Sequence, residues 1–397
     1  MSAQPLQGVR VIDFGQFIAA PAATQMLADM GAEVIKIESP SGDAARSIGV
    51  HGEAMINAFN RGKRSIVLDL KSDEGLDIAK RLIASADIVV QNMRPGVMAS
   101  FGLDGPTLLA AHPHLVYAGI SAFGTTGPSK MRAGLDITAQ AESGLMHMTG
   151  EPDRDPQKVG AQIVDAATAY AAAAAVLGAY ISRLRTGRGD IVETSLLEVA
   201  MHMQAPMIGA FLANGVEPKR VGSGQPTVAP AADIITTADG AFILSAYSQA
   251  HFARLCTLID RADMIDDERF ATNGARVRNR PALLSELRHA FAAHTTSSAL
   301  ELLTSNGLVA GRISTYTDLT HSDDVKATGI LIDTHGALGA IGTVGTPYSI
   351  GTASPRSSAG APALGEHTAE ILAELGVSLA DAPELSIVGA SAPVAAK

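Results

Sequence analysis

Val9-Arg10-Val11-Ile12-Asp13-Phe14, then Gly15-Gln16-Phe17-Ile18-Ala19-Ala20-Pro21, and downstream Glu33-Val34-Ile35-Lys36-Ile37-Glu38 form the stretch whose reading decides the fold. The first block is a short apolar run and the second a turn of small residues. Pro21 suits the opening turn of a helix, where its missing N–H costs nothing. The helix predicted over 22–30 stops at Gly31, a natural C′ residue, and EVIKI is the next strand. Strand, helix and strand within this length make a βαβ unit.

The alternation continues outward from that unit. Residues 64–68 read as a strand, 73–86 as an amphipathic helix, 87–91 as a strand, 103–111 as a helix and 115–120 as a buried strand. Such alternation predicts an α/β fold, a Rossmann-like large domain with a mainly parallel sheet covered by helices. Ligands of such sheets bind beyond the carboxyl ends of the strands. The segments 15–20, 38–46, 92–96 and 121–127 should therefore gather at one edge. Glu38 ends the second strand, where a ribose-binding acid of a dinucleotide site would stand. The first turn reads G-Q-F-I-A-A and not G-x-G-x-x-G, which argues against a nicotinamide dinucleotide.

Further along, Val159-Gly160-Ala161-Gln162-Ile163-Val164-Asp165 leads into an alanine-dominated helix predicted over 166–180. On the residues alone, Asp165 is either the N-cap of a core helix or a carboxylate nucleophile held at a helix start. A basic turn, 183–189, a strand, 190–194, and a second long helix, 196–212, follow. Met201, Met203 and Met207 in that helix are expected as core fillers. Residues 214–230, with Gly222-Ser223-Gly224-Gln225-Pro226, read as a linker or mobile loop. Residues 232–237 and 241–247 flank Ala238-Asp239-Gly240 as a hairpin, and helices are predicted near 249–259, 281–293 and 297–306. The chain beyond 323 reads as loop-rich until a helix at 367–375 and a polar tail expected to be disordered. The implied division is a large domain over 1–213, a linker with a glycine loop over 214–230 and a smaller α+β domain over 231–322. A return segment, 323–397, should pack on the large domain.

With 397 residues, 47% of them hydrophobic and 18% charged, the chain can bury a sizeable core. A net charge of −10 argues against nucleic acid or an anionic membrane as partner, though not against an anionic ligand. The single cysteine, Cys256, rules out an internal disulfide and a cysteine-based zinc cluster, and no metal is expected. Cys256 sits in an apparent buried helix stripe and is a poor nucleophile. The opening Met1-Ser2-Ala3-Gln4-Pro5 lacks a signal-peptide pattern, and 166–182 reads as too weakly hydrophobic to span a bilayer. The expectation is a soluble cytoplasmic protein with no membrane role.

Several blocks carry a resemblance. The opening L-x-G-V-R-V-I-D-F, the P-x-A-T-x-x-L-A-D-x-G-A-E-V-I-K-I-E block, Gly42-Asp43-x-x-Arg46 and Asn60-Arg61-Gly62-Lys63-Arg64-Ser65 come first. Leu68-Asp69-Leu70-Lys71, Gln91-Asn92-Met93-Arg94-Pro95-Gly96, Thr186-Gly187-Arg188-Gly189 and Pro362-x-Leu364-Gly365-Glu366-His367-Thr368 follow in order. Together they resemble a family III CoA-transferase of the CaiB/BaiF family along nearly the whole chain. That resemblance implies a Rossmann-like domain, a small domain joined by linkers and a homodimer of interlocked rings. It implies that Asp165 is the nucleophile, passing through a mixed anhydride and an aspartyl-CoA thioester. The helix dipole should keep Asp165 ionised at neutral pH without a base partner.

Backbone amides at Ile18 and Ala19 and in Gly222-Ser223-Gly224 would receive oxyanions. In the formyl-CoA:oxalate enzymes of this family a glycine loop before Gln-Pro covers the site. Gly222 to Gln225 resembles it, with Ser223 replacing one glycine. Asn92, Met93 and Arg94 match the family's CoA segment, and Leu68 and Lys71 its adenine end. Two arginine positions of the oxalate enzymes hold Ser39 and Ser100 here, so Arg46, Arg61, Lys63 or Arg64 is expected to serve the phosphates. The family's racemases carry a His where Leu135 stands, and leucine cannot take a proton. Asp136 beside it either orients the site or caps the following helix, and His147 reads as structural. The resemblance thus favours CoA transfer between an acyl-CoA and a small carboxylic acid, with CoA as substrate and no tightly bound cofactor. An α-methylacyl-CoA racemase and a non-catalytic acyl-CoA-binding homologue are the alternatives. Gln16 and Ile18 differ from the oxalate enzymes, and a four- or five-carbon dicarboxylate such as succinate is the first acceptor class to expect.

Overall fold

The computed structural model describes residues 4–336, 339–350 and 357–377, so the tail expected to be disordered lies outside the described residues. Six strands, β1 (Arg10–Asp13), β2 (Glu33–Glu38), β3 (Arg64–Val67), β4 (Ile88–Gln91), β5 (Val116–Ser121) and β6 (Ile191–Ser195), form one sheet. Its order is β3-β2-β1-β4-β5-β6, with every neighbouring pair parallel. The direction of winding reverses between β1 and β4, which opens a crevice beyond the carboxyl ends of those two strands.

The helices of this part are α1 (Ala19–Asp29), α2 (Gly49–Asn60), α3 (Asp73–Ala84), α4 (Val97–Ser100), α5 (Gly105–Ala111), α6 (Asp136–Glu142), α7 (Leu145–Met148), α8 (Ile163–Thr186), α9 (Leu196–Met203) and α10 (Ala205–Asn214). Successive strand residues face opposite sides of a sheet, and β1 divides its apolar residues accordingly. Val11 packs with Val34, Val90 and the alanines of α1 and α8, whereas Ile12 packs with Ile35, Val89 and the Ile78, Leu82 and Ile83 face of α3. Each fully buried Leu or Ile of that α3 face contributes about 1.5–3 kcal/mol. Ala22 and Ala23 on α1, with Ala169, Ala172 and Ala173 on α8, are buried in one cluster. Their small side chains let two helices and the sheet approach closely.

Several expectations are corrected. α8 begins at Ile163, so Asp165 is its third residue and not its N-cap; Gln162 holds the N-cap position without a side-chain hydrogen bond. α8 is also long and apolar enough by length and composition to cross a membrane. In the fold one face of it packs against α1, β5, β6 and α9, while Tyr170, Ile181 and Leu184 remain exposed. The single helix expected over 196–212 breaks at Gln204 into α9 and α10, bent by 73°. Pro206 sits in the first turn of α10, where its missing N–H is harmless; within one continuous helix it would clash with the preceding turn. Met201, Met203 and Met207 are exposed and do not fill the core. Where a loop was expected after 323, an antiparallel hairpin forms from β10 (Leu331–Gly336) and β11 (Gly339–Val344).

The chain divides into two compact units. One comprises Met1–Leu145, Val159–Gly209 and Asp324–Lys397, the other Met146–Lys158 with Ala210–Asp323. The segment expected to be a linker, 214–230, falls inside the second unit, and so does 146–158, which the sequence did not single out. The second unit holds a three-stranded antiparallel sheet, β7 (Asp233–Thr236), β8 (Ala241–Ser245) and β9 (Val309–Arg312), of which β9 was not foreseen. Phe242, Phe252, Phe270, Leu287 and Phe291 build its core around the fully buried Cys256. Burial pushes the Cys256 thiol up to about 11.

Candidate active site

A cavity of about 820 Å³ opens beyond the carboxyl ends of β1, β4 and β5, a size typical of a small-molecule site. Asp165 lines it from the first turn of α8, together with Ile18, Ala19, Asn92, Met93, Arg94 and Leu135. Asp136 does not line it. Its buried carboxylate instead turns toward the start of α8, where Oδ2 accepts the N–H groups of Val164 (2.8 Å) and Asp165 (3.1 Å). Oδ1 accepts Gln140 Nε2 at 2.5 Å, and Gln140 Oε1 in turn accepts the Val159 N–H at 2.9 Å. Asp136 therefore caps a helix other than its own, supplying the acceptor that Gln162 does not. Of the two roles expected for it, orientation of the site is the one the geometry supports, since its carboxylate is turned to the start of α8.

Burial, followed by the neighbouring charge of Asp136, pushes Asp165 from 3.8 up to about 7. The expectation that the helix dipole keeps it ionised at neutral pH is corrected on this point. Losing solvent around a half-buried carboxylate, next to a second carboxylate, outweighs the helix start. The result is a group near half-ionised at neutral pH, suited to alternate between nucleophile and leaving group.

The turn between β1 and α1 forms the facing wall. Asn92 bridges it: its Oδ1 accepts the Gln16 N–H and its Nδ2 donates to the Gln16 carbonyl, both at 2.9 Å. Phe17 adopts φ +61°, unusual for a residue with a Cβ. Ile18, at the N-cap of α1, forms no side-chain cap, so the opening amides of α1 are left for other acceptors. Ile18 and Ala19 both line the cavity, as the oxyanion role requires.

Leu68 and Lys71 line a second hollow of about 220 Å³ beyond β2 and β3. Gln16, Met93 and Val97 line both hollows, so the two adjoin. The basic residues expected to serve phosphates are committed elsewhere. Arg46 makes a bidentate pair with Glu38 (2.7 and 2.9 Å), and Lys63 is buried against Asp13 at 2.8 Å. Arg61 pairs with Asp29, while Arg64 bonds Glu33 and Glu374. The cations that do line the hollows are Arg94 and Arg132 in the first and Lys71 in the second.

Gly222, Ser223, Gly224 and Gln225 belong to the second unit. The Gly222 N–H donates to the Gly150 carbonyl at 3.1 Å, and the Gln225 N–H to that of Ala232 at 3.4 Å. Those two amides are thus engaged inside that unit. Gly222 has φ +65°, a turn geometry that favours glycine, and a Cβ on Gly224 would displace the Arg280 guanidinium. Arg132, stacked 4.1 Å from the Phe123 ring, and Gln140 were missed in the sequence. No motif marks either one, although Gln140 stands one helical turn after Asp136. His147 is exposed and faces Glu217 at 3.4 Å. Among the described residues no group of acidic, His or Cys side chains is arranged to hold a metal ion.

The family model described as CoA-transferase family III matches residues 6–368. A succinate–glutarate CoA-transferase of Agrobacterium fabrum is 38% identical over 387 residues, covering 94% of this chain and 96% of that protein. The succinyl-CoA:glutarate CoA-transferase of Mus musculus is 34% identical over 380 residues, covering 94% and 87%. The crystal structure of a CaiB/BaiF family protein from Brucella suis superposes with a TM-score of 0.84 at 38% identity, covering 94% of this chain and all of that one.

Proposed function

Since the chain belongs to CoA-transferase family III, we propose that it moves CoA from an acyl-CoA to a free dicarboxylic acid with Asp165 as the nucleophile. The observation that carries this reading is the Asp165 carboxylate, which lines the cavity where the β1 and β4 turns meet, on a first turn of α8 whose backbone N–H groups Asp136 caps.

Ionised Asp165 attacks the thioester carbonyl. A C–O bond forms, the C–S bond breaks, and CoA leaves as thiolate from a mixed anhydride. The thiolate attacks the Asp165 carbonyl of that anhydride, giving an aspartyl-CoA thioester and the free donor acid. The acceptor carboxylate then attacks the same carbonyl and expels the thiolate again. Finally the thiolate attacks the acceptor's acyl carbon, and Asp165 leaves as carboxylate. Each addition builds an oxyanion, for which the uncapped amides at Ile18 and Ala19 are the donors at hand. CoA would lie with its nucleotide toward Leu68 and Lys71 and its sulfur toward Asp165, passing Gln16 and Met93 where the hollows adjoin.

The acceptor class rests on the relatives and on two cations. Relatives are named for succinate, glutarate, D-citramalate and mesaconate, and Arg94 in the first cavity can pair with a distal carboxylate, with Arg132, itself paired with Glu142, beside it. The exposed apolar side chains of Met203, Met207, Phe211 and Leu212 support assembly as a homodimer. Racemisation has less support, because Leu135, 61% exposed at the cavity, offers no proton.

The test is a mass-spectrometric screen of free acids against several acyl-CoA donors, with wild type and Asp165→Ala. New acyl-CoA from a dicarboxylate is expected with wild type and none with the variant. Transfer by Asp165→Ala at the wild-type rate would overturn the assignment. Deuterium uptake at the α-carbon of an acyl-CoA in heavy water, without transfer, would favour the racemase.

A further inference from the structure

Two buried lysine–aspartate pairs end on the backbone of the same cavity-lining turn. Lys63 Nζ bonds Asp13 Oδ2 at 2.8 Å and the Pro21 carbonyl at 2.9 Å, while Asp13 Oδ1 accepts the Gly15 N–H at 2.7 Å. Lys36 Nζ bonds Asp43 Oδ2 at 3.0 Å and the Gly15 carbonyl at 2.6 Å, while Asp43 Oδ1 accepts the Phe17 N–H at 3.1 Å. All four side chains are 0% exposed. With Asn92 on both backbone groups of Gln16, the polar backbone groups from the Gly15 N–H to the Phe17 N–H each have a side-chain partner. Phe17 within this grip is held at φ +61°, a conformation that persists only where its surroundings over-determine it.

Stability does not explain the Lys36–Asp43 pair. Well-packed hydrophobic side chains commonly replace a buried ion pair with no loss of stability, so burial of this pair is weak ground for a purely stabilising role. What the charges add is a directional hold on two peptide groups that flank Gln16. We propose that Lys36 and Asp43 are positioning residues. Together they keep Phe17 left-handed, so that the Gln16 side chain and the Ile18 and Ala19 amides face the cavity into which Asp165 opens. This role rests on the Asp165 chemistry proposed above.

The experiment is a double-mutant cycle. Lys36→Met with Asp43→Leu removes both charges and leaves neither unpaired. CoA transfer, CoA binding by calorimetry and melting temperature are measured in the native and Phe17→Gly backgrounds. In the native background kcat should fall by about 10²-fold, the loss that a misplacement of about 1 Å can cause. The melting temperature falls as well, because the Gly15 carbonyl and the Phe17 and Ala45 N–H groups lose their partners, so the comparison between the two backgrounds is the deciding readout. Glycine adopts positive φ without strain, so in the Phe17→Gly background the same substitutions should cost about tenfold less. Equal losses in both backgrounds, or an undiminished kcat, would overturn the proposal. If the pair variant does not fold, Asp43→Asn and Asp43→Ala replace it. Asn keeps an oxygen for the Phe17 N–H, and only the Ala variant should be relieved by Phe17→Gly; relief of both or of neither overturns the role. A wild type that moves no CoA sinks the function reading, whereas an active wild type with a fully active pair variant sinks the positioning role alone.

Discussion

In the proposed mechanism Asp165 is an anion when it attacks and a good leaving group when it departs, and an ionisation near neutrality serves both demands. Its folded value of about 7, against 3.8 ordinarily, is set first by burial and then by Asp136. The ionised fraction grows with pH, so kcat/KM for the acyl-CoA should rise through about pH 7 and level off above it. Asp136→Asn keeps an oxygen for the two α8 amides but removes the like charge, so it should move that inflection to lower pH; an unmoved profile would count against the pairing. The fold favours neutral Asp165, so its stabilising contribution is complete below the ordinary value and is lost as pH rises through the folded one. Asp165→Asn should therefore abolish transfer while raising the melting temperature at about pH 8, with the gain vanishing in acid. The place of Asp165 at the start of a small-residue helix was legible, and it lines the cavity. The cap from Asp136 was not, since it joins groups 28 positions apart that no local pattern links.

Strands and helices were legible to the extent that their periodicity was uninterrupted. Every strand of the parallel sheet was read within a residue or two, because each is a compact apolar run between turns. The break between α9 and α10 was lost in a continuous Met- and Ala-rich stretch, where only Pro206 carried the signal. α8 offers a contrast along its own length. Ala172 has no exposed surface and shares a packed cluster with α1, whereas a Cβ on Gly178 would meet nothing within 4 Å. Ala172→Leu should destabilise by about 1–3 kcal/mol through overpacking. Gly178→Ala should stabilise by about 0.5–1 kcal/mol. Thermal melts followed by circular dichroism measure both.

The cavity lies at the seam where winding reverses; its position beyond the carboxyl ends of the strands was legible in the alternation, but the strand order that sets the seam was not. The division into units was harder to read, because the chain enters the second unit at 146–158, leaves it, and returns from Ala210 to Asp323; no composition shift marks the first visit. The hollow lined by Leu68 and Lys71 is built without Asp165. Free CoA should therefore bind Asp165→Ala within a few-fold of wild type by calorimetry, even though turnover is gone. Cys256 has a practical consequence of another kind. The chain's one thiol lies sealed among phenylalanines with its acidity suppressed, so a chromogenic disulfide reagent added to native enzyme will find no protein sulfur to react with. Colour above an enzyme-free control then counts coenzyme thiol set free by the enzyme, and in the proposed mechanism the leak of the cycle to water can be read directly in unmodified protein.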